Sequence, residues 1–532
     1  MAEHRSQDAG YELVMPDHSH LLLSEAIRLG IPSDRVHEFL AASLSNVRSP
    51  WDIPGMEVLV ARLDAAAKKD KRLLLLGDFD TDGTTATAVL FATLARRMPS
   101  ARRYNPWFRE GYGLQVAQVE RFAAKGIEVI ITIDNGITAH AAVERAVELG
   151  VETLIIDHHL PRSDIGAPHT TYLDPPDNVL SASQVGYLVA QALRETGWGE
   201  AGHDDGGLAL AAVGAQMDWM PLNVAENRGW IAHAQSIINA AACPPGLFSL
   251  RRALGEEYTS SELLSLGAPL NLGKRLKSID PNLVVELLLP DTPDARRDEL
   301  AAHLVSERKR VEQLERDVYE RVMSEADGLR SGPGVLIYPV ESPDDDLAEL
   351  EGPLASKLTY ATGRPTLALR HYPDLVAFSG RAAGTFSFAS FISDAGLRRV
   401  VMNMGGHAKA MGGAFKPERL DDFIAAVRVW EKSTQSQAIW ADTTEPGVPA
   451  YPLTELSPQI AYTLACGLGP FGHRFRRPTY RTTLSVHAGC AYSQDVIVHT
   501  NVALPDGTHQ VTFTFDETQC DGELVGINVL SV

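Results

Sequence analysis

The stretch Leu73-Leu74-Leu75-Leu76-Gly77-Asp78-Phe79-Asp80-Thr81-Asp82-Gly83 decides how this chain is read. Four leucines without a polar interruption predict a short strand buried on both faces, as in parallel sheets. Three carboxylates then fall within five residues. Crowded carboxylates repel one another and resist burial unless a cation neutralises them. Hard divalent ions favour oxygen ligands of this kind. If the strand end stays extended, Asp80 and Asp82 project to the same side. A calcium-binding turn is the plain alternative, but the glutamate such a loop needs at its twelfth place is missing, since counting from Asp78 reaches Val89.

The pattern repeats outward from this stretch. Val129–Ile133 runs into Asp134-Asn135-Gly136, and the apolar run at 153–156 leads to Asp157-His158-His159. Helix-like segments at 84–97, 116–125 and 139–149 lie between. Buried strands alternating with helices predict an α/β fold with a doubly covered parallel sheet. Ligands of such sheets gather beyond the carboxyl ends of the strands, where all three polar clusters fall. Asp134 alone reads equally well as a helix cap. The adjacent imidazoles of His158 and His159 suit a borderline ion such as Mn²⁺ with mixed nitrogen and oxygen ligands. Asp218 closes the apolar helical stretch 208–217 and needs a partner there, either the metal site or a helix-end salt bridge.

Composition narrows the class. At 532 residues the chain has room for about three domains of roughly 150 residues. Its 45% apolar and 22% charged residues are those of a globular protein. The polar opening residues lack the apolar core of a secretory leader. No apolar run approaches the ~20 residues of a membrane span. Cys243, Cys466, Cys490 and Cys520 are scattered, which fits a reducing, cytoplasmic setting and argues against a thiolate zinc site. With 48 basic against 68 acidic residues the net charge is −20, unlike a protein that coats nucleic acid nonspecifically, yet compatible with a carboxylate-rich metal site.

The motifs GDFDTDG (77–83), IDNGI (133–137) and DHH (157–159), with Asp218 in the later segment 213–222, resemble the DHH phosphoesterase superfamily, and within it the RecJ single-strand exonucleases. Further matches occur in the same order: Ser49-Pro50-Trp51, Glu110-Gly111-Tyr112-Gly113-Leu114, Leu270-Asn271, Ser379-Gly380-Arg381, Gly405-Gly406-His407 and Gly469-Pro470-Phe471-Gly472. The resemblance implies a two-metal centre of Mn²⁺ or Mg²⁺ held by Asp80, Asp82, Asp134, His158 and Asp218, with Asp134 bridging. It implies supporting catalytic roles for Asp78 and His159. His407 belongs to the loop that holds the scissile phosphate, with Gly405 and Gly406, and Ser379, Gly380 and Arg381 grip a terminal phosphate. Arg275 is a further substrate-binding residue by the same resemblance. The chain departs from the family pattern at Trp107 and Pro269, each where relatives carry Arg, and at Ala215 and Glu351. Arg109 is the substitute expected near Trp107.

The organisation implied is an N-terminal helical segment (1–70), a DHH catalytic domain (71–290), a long connecting helix (291–334) and a second α/β, DHH-associated domain (335–431). A linker (432–449) then leads to a C-terminal OB-like β module (450–532). In that module Arg474, Phe475, Arg476 and Tyr480 interleave charge with rings, a mixture suited to single strands. Arg102, Arg103 and Tyr104 form part of a second such patch, and Asp344-Asp345-Asp346 reads as a solvated acidic loop. The function expected is 5′-to-3′ hydrolysis of single-stranded DNA in repair or recombination. The partners expected are single-stranded DNA and a single-strand-binding protein or helicase, with no membrane, and the chain acting as a monomer. An oligonucleotide or cyclic-dinucleotide phosphodiesterase and a non-catalytic repair scaffold are the alternatives. The scaffold is disfavoured because all five ligand positions are intact.

Overall fold

A computed structural model of the chain describes residues 19–159, 170–173, 177, 179–200, 204–240, 243–255, 263–330, 334–341, 344–382, 386–406, 409–432, 468, 480–487, 490–493, 496–500, 505–515 and 525–531. Two compact units are formed. One comprises residues 49–218 and 234–447, the other residues 1–48, 219–233 and 448–532. The division does not follow the linear order of segments expected from the sequence.

In the larger unit, β1 (Leu73–Leu76), β2 (Arg102–Tyr104), β3 (Val129–Ile133), β4 (Glu152–Ile156) and β5 (Thr170–Leu173) form a parallel sheet in the order β2-β1-β3-β4-β5. Residues of β1, β3 and β4 are buried along nearly their whole length, the physical origin of their continuous apolar runs. Leu74, Leu76 and Ile130 pack on Val119, Phe122, Ala142 and Ala146 from the helices Val116–Ala124 and His140–Glu148. The helices Thr81–Arg97, Ala182–Leu193 and Asp205–Met217 are almost entirely buried.

β2 had no clear sequence signal. It is an edge strand that pairs only with β1, so its Arg102 and Arg103 lie in a sheet rather than in a free basic patch. Arg102 is satisfied locally, donating to the carbonyls of Ser100 and Ala101 at 3.0 and 2.9 Å. The helix that follows β1 begins at Thr81 rather than 84, with Asp80 as its N-cap. Asp80 and Asp82 are therefore not carried side by side on an extended strand: one caps the helix and the other sits in its first turn.

The connecting helix runs Asp294–Arg330, 37 residues, or about 55 Å. It leads to a second sheet of β6 (Leu336–Val340), β7 (Thr366–His371), β8 (Val376–Arg381), β9 (Asn403–Gly406) and β10 (Ala410–Phe415) in the order β6-β7-β8-β10-β9. Only β6 and β7 pair in parallel. Its core is aromatic: Phe415 stacks on Phe423 with ring centroids 4.4 Å apart, and Phe391 meets Trp430 edge-on. The acidic triplet is not merely solvated. Arg310 donates to Asp344 at 2.7 Å and to Asp346 at 2.6 Å, and Asp346 also accepts from Ser278.

In the smaller unit, β11 (Tyr480–His487), β12 (Cys490–Ser493), β13 (Val496–Thr500), β14 (Gly507–Phe515) and β15 (Val525–Ser531) close into a five-stranded barrel of the OB type. Arg228 of this unit is fully buried. Its guanidinium lies 3.9 Å from the centre of the Phe39 ring and donates to the carbonyls of Phe39 and Leu468, both at 2.9 Å. Segments far apart in sequence are thereby tied together. Among the described residues, no helix is long and apolar enough to cross a membrane.

Candidate metal centre

The carboxyl ends of β1, β3 and β4 carry the acidic and imidazole side chains expected there. After β1 the chain turns sharply, and Asn105 donates to the carbonyl of Asp78 at 2.5 Å. Gly83 has to be glycine, since a Cβ at that place would lie 2.7 Å from the Asp78 backbone. This close approach folds the loop back on the first helical turn and directs three carboxylates inward. Asp80 accepts from the amide of Gly83 at 3.1 Å, and its second oxygen meets the ammonium of Lys274 at 3.3 Å.

Asp82 is held differently. Its two carboxylate oxygens accept from the amides of Ala182 and Ser183, at 2.8 and 3.0 Å, which form the N-terminus of the helix Ala182–Leu193. A helix start favours negative charge, so the backbone amides there are suited to hold the Asp82 side chain in place. Asp134 adopts φ +65°, a left-handed conformation that Asp tolerates better than most residues. Tyr112 donates to its carbonyl at 3.0 Å.

Asp157 organises the histidines. One of its oxygens accepts from the amides of His158 and His159 and from the His159 ring, and the other from Ile137. Burial alone would raise the Asp157 pKa, but the His159 hydrogen bond and charge bring it below the ordinary value. Burial would likewise depress His159. Asp157 outweighs it and holds His159 up at about 9.

His158 lies at the middle. Its Nε2 is 3.4 Å from Asp134, 3.5 Å from Asp218 and 3.8 Å from Asp82. Both ring nitrogens are buried without a hydrogen bond, as is Oδ1 of Asp78. Burial pushes Asp78, Asp134 and Asp218 well above the usual carboxylate range, and each is driven further by neighbouring aspartates. Unsatisfied buried groups of opposite preference, nitrogen lone pairs beside crowded carboxylates, fit a divalent cation. Three sets of ligand atoms lie within 4.8 Å of one another: Asp78/Asp80/Asp134, Asp134/His158/His159 and Asp82/His158/Asp218. Asp134 and His158 each belong to two of them. All five expected ligands, with Asp78 and His159, thus converge on one place.

The centre opens into a cavity of about 630 Å³ that the second sheet also lines, through Ala377, Asn403 and Ala414. These three are cross-strand partners on β8, β9 and β10. Two residues along lies the row Ser379–Gly412–Gly405, on the same face by strand alternation. Arg381 donates to the Ser379 hydroxyl at 2.9 Å and to the Gly380 carbonyl at 2.8 Å. Gly406 ends β9. Arg275, expected on the substrate, donates instead to the Glu349 carbonyl at 2.7 Å and pairs with Glu315 of the long helix. Two opposed partners hold it as a tie between lobes. Arg109 belongs to the short turn Phe108–Glu110 and Tyr480 to β11. Their side chains are outside what is described, as are His407, Arg474, Phe475 and Arg476 altogether.

Sequence reasoning missed Lys274 and Tyr112 at the centre, and the two amides that hold Asp82. Lys274 stands 194 residues from Asp80, and no motif marks it. Tyr112 had a signal, since it lies inside the quoted segment 110–114.

Residues 72–214 match the model of the DHH family, N-terminal domain. The chain is 30% identical over 459 residues to the single-stranded-DNA-specific exonuclease RecJ of Dickeya dadantii, covering 80% of this chain and 77% of that protein. Identity to the protein of the same name from Escherichia coli is 29%, covering 81% and 78%. The structure of RecJ in complex with Mn²⁺ from Thermus thermophilus superposes with a TM-score of 0.74 at 22% identity, over 96% of this chain and 78% of that one.

Proposed function

Because this chain belongs to the RecJ family of single-stranded-DNA-specific exonucleases, we propose that it hydrolyses single-stranded DNA at the centre formed by Asp78, Asp80, Asp82, Asp134, His158, His159 and Asp218. The observation that carries the reading is His158, whose ring nitrogens are both buried and unbonded among three carboxylates. Two divalent ions, Mn²⁺ or Mg²⁺, held there would activate water and offset charge on the attacking and leaving oxygens.

The protein's own groups supply the rest. Asp82 is held in position by the helix-start amides of Ala182 and Ser183. Asp157 sets the rings of His158 and His159, the outer-shell role that tunes metal ligands. Ser379, Gly380, Arg381, Gly405, Gly406 and His407 would hold phosphate across the cavity. Arg381, half-buried and lowered in pKa by desolvation, would offer a bidentate contact to a phosphate. Arg109 would extend that grip, whereas Arg275 would act by joining the lobes. The barrel, with Arg474, Phe475, Arg476 and Tyr480, would track the strand. The polarity, 5′ to 3′, rests on the family resemblance. So do a cytoplasmic place in repair or recombination and action as a monomer behind a helicase or single-strand-binding protein.

The test is hydrolysis with Mn²⁺ of a 5′-labelled single strand, a 3′-labelled single strand, a blunt duplex and a dinucleotide. Release of label from the 5′ end of the single strand, with the duplex resistant, is expected. Cleavage of the dinucleotide alone would replace this reading by the small-substrate phosphodiesterase.

A further inference from the structure

We propose that Lys274 is the cation of this chain that contacts the substrate phosphate beside the metal centre, an inference that rests on the exonuclease reading. Seven carboxylates line the cavity: four come from the aspartate cluster and the others are Glu349, Glu351 and Asp374. Among the described residues that line it, Lys274 is the only lysine or arginine. A phosphodiester entering this space meets a strongly anionic wall. Divalent ions offset the aspartates they touch, but Glu349, Glu351 and Asp374 lie outside the three ligand sets. Lys274 is placed beside these carboxylates to balance part of the remainder.

Its position is built rather than incidental. The segment that carries it clamps the acidic loop at three points. Thr81 donates its amide to Asn271 Oδ1 at 3.3 Å and its hydroxyl to the Gly267 carbonyl at 3.1 Å. Gly273 lies against the loop so closely that a Cβ there would sit 2.4 Å from the Phe79 carbonyl. On its other side the same segment is pinned to the second lobe, Ala348 donating to the Arg275 carbonyl at 2.7 Å and Lys277 to that of Asp346 at 2.9 Å. Lys274 is thus held where the lobes meet, with its ammonium 3.3 Å from Asp80 and a third of its side chain open. An ammonium has three donors, and the contact with Asp80 engages one. The others are available to a phosphate oxygen lying between Asp80 and the far wall. A compact point charge on a flexible stem suits that task.

The competing possibility is that Lys274 only neutralises Asp78 and Asp80, a positioning role. Lys274→Met and Lys274→Arg in the full chain separate the two. Three quantities are measured: kcat/KM on a 5′-labelled single strand at saturating Mn²⁺, affinity for that strand by fluorescence anisotropy with Ca²⁺ in place of Mn²⁺, and Mn²⁺ binding by titration calorimetry. Loss of a charged contact to phosphate lowers both strand affinity and kcat/KM by about ten- to a hundredfold in Lys274→Met. Lys274→Arg recovers part of both, and Mn²⁺ binds Lys274→Met as well as wild type or more tightly, since no ammonium competes for Asp80. Near-wild-type strand affinity and turnover in Lys274→Met overturns the proposal. So does a loss matched by an equal loss of Mn²⁺ affinity, which makes Lys274 a positioning residue. The exonuclease reading fails separately, on the wild-type chain alone, if it binds the strand without cutting it; the comparison of strand affinities then still decides for or against Lys274.

Discussion

Among the places where this protein buries charge, two do it in opposite ways. Around Arg228 a guanidinium is stacked on Phe39 and bonded to two carbonyls, and burial lowers its pKa to about 9. Around His158, four aspartates and an imidazole are buried together, yet both ring nitrogens and Asp78 Oδ1 have no hydrogen bond. The first arrangement is complete within the fold. The second becomes complete only with a cation. Burial of charge by itself therefore marks neither structure nor function; what separates the two is whether the chain supplies the partners.

The largest effect that would break this contrast comes from Asp134, which belongs to two ligand sets. Asp134→Ala should abolish Mn²⁺-dependent hydrolysis, a greater loss than the roughly 10–100-fold that follows removal of an outer partner. The metal-free chain should melt no lower than wild type, because one repelling carboxylate is gone. Turnover near wild type in a Mn²⁺ assay would mean that the cluster is not the metal centre.

Arg228→Met probes the completed cluster. Leaving the Phe39 and Leu468 carbonyls without their donor should cost about 3 kcal/mol or more in urea unfolding. Hydrolysis per folded molecule should persist. Unfolding at the wild-type midpoint would show that Arg228 does not tie its unit together.

Glu351 offers the smallest and sharpest test, since its Oε2 is also buried and unbonded. Burial raises its pKa, helped by the charge of Glu349. A carboxyl raised by folding binds its proton more tightly in the folded state, so its ionisation opposes folding above the unfolded value of about 4.3. Glu351→Gln should therefore raise the melting temperature slightly at about pH 8, with the gain fading toward pH 4. A gain that instead grew on acidification would contradict the sign of the shift.

Much of the first lobe was legible because its strands are buried on both faces. The runs at Leu73–Leu76 and Val129–Ile133 had no competing period. β2 was hidden because an edge strand can carry Arg102 and Arg103, and a run of charges looks like surface. Asp80 and Asp82 were singled out but wrongly projected: their spacing suits a strand, while the close approach of Gly83 to Asp78 starts the helix at Thr81.

The sequence by itself determined the parallel sheet, the acidic and imidazole residues at its carboxyl edge, and the family, because strand burial and motif order are local properties written residue by residue. Only the tertiary structure decided that helix amides at Ala182 and Ser183 hold Asp82, that Lys274 meets Asp80, that Arg275 bonds the Glu349 carbonyl and Glu315, and that Arg228 binds the Leu468 carbonyl. Those contacts join residues from 40 to 240 positions apart. Their partners are backbone groups common to every residue or charges with many possible mates, so nothing in the order of residues selects among them until the chain is folded.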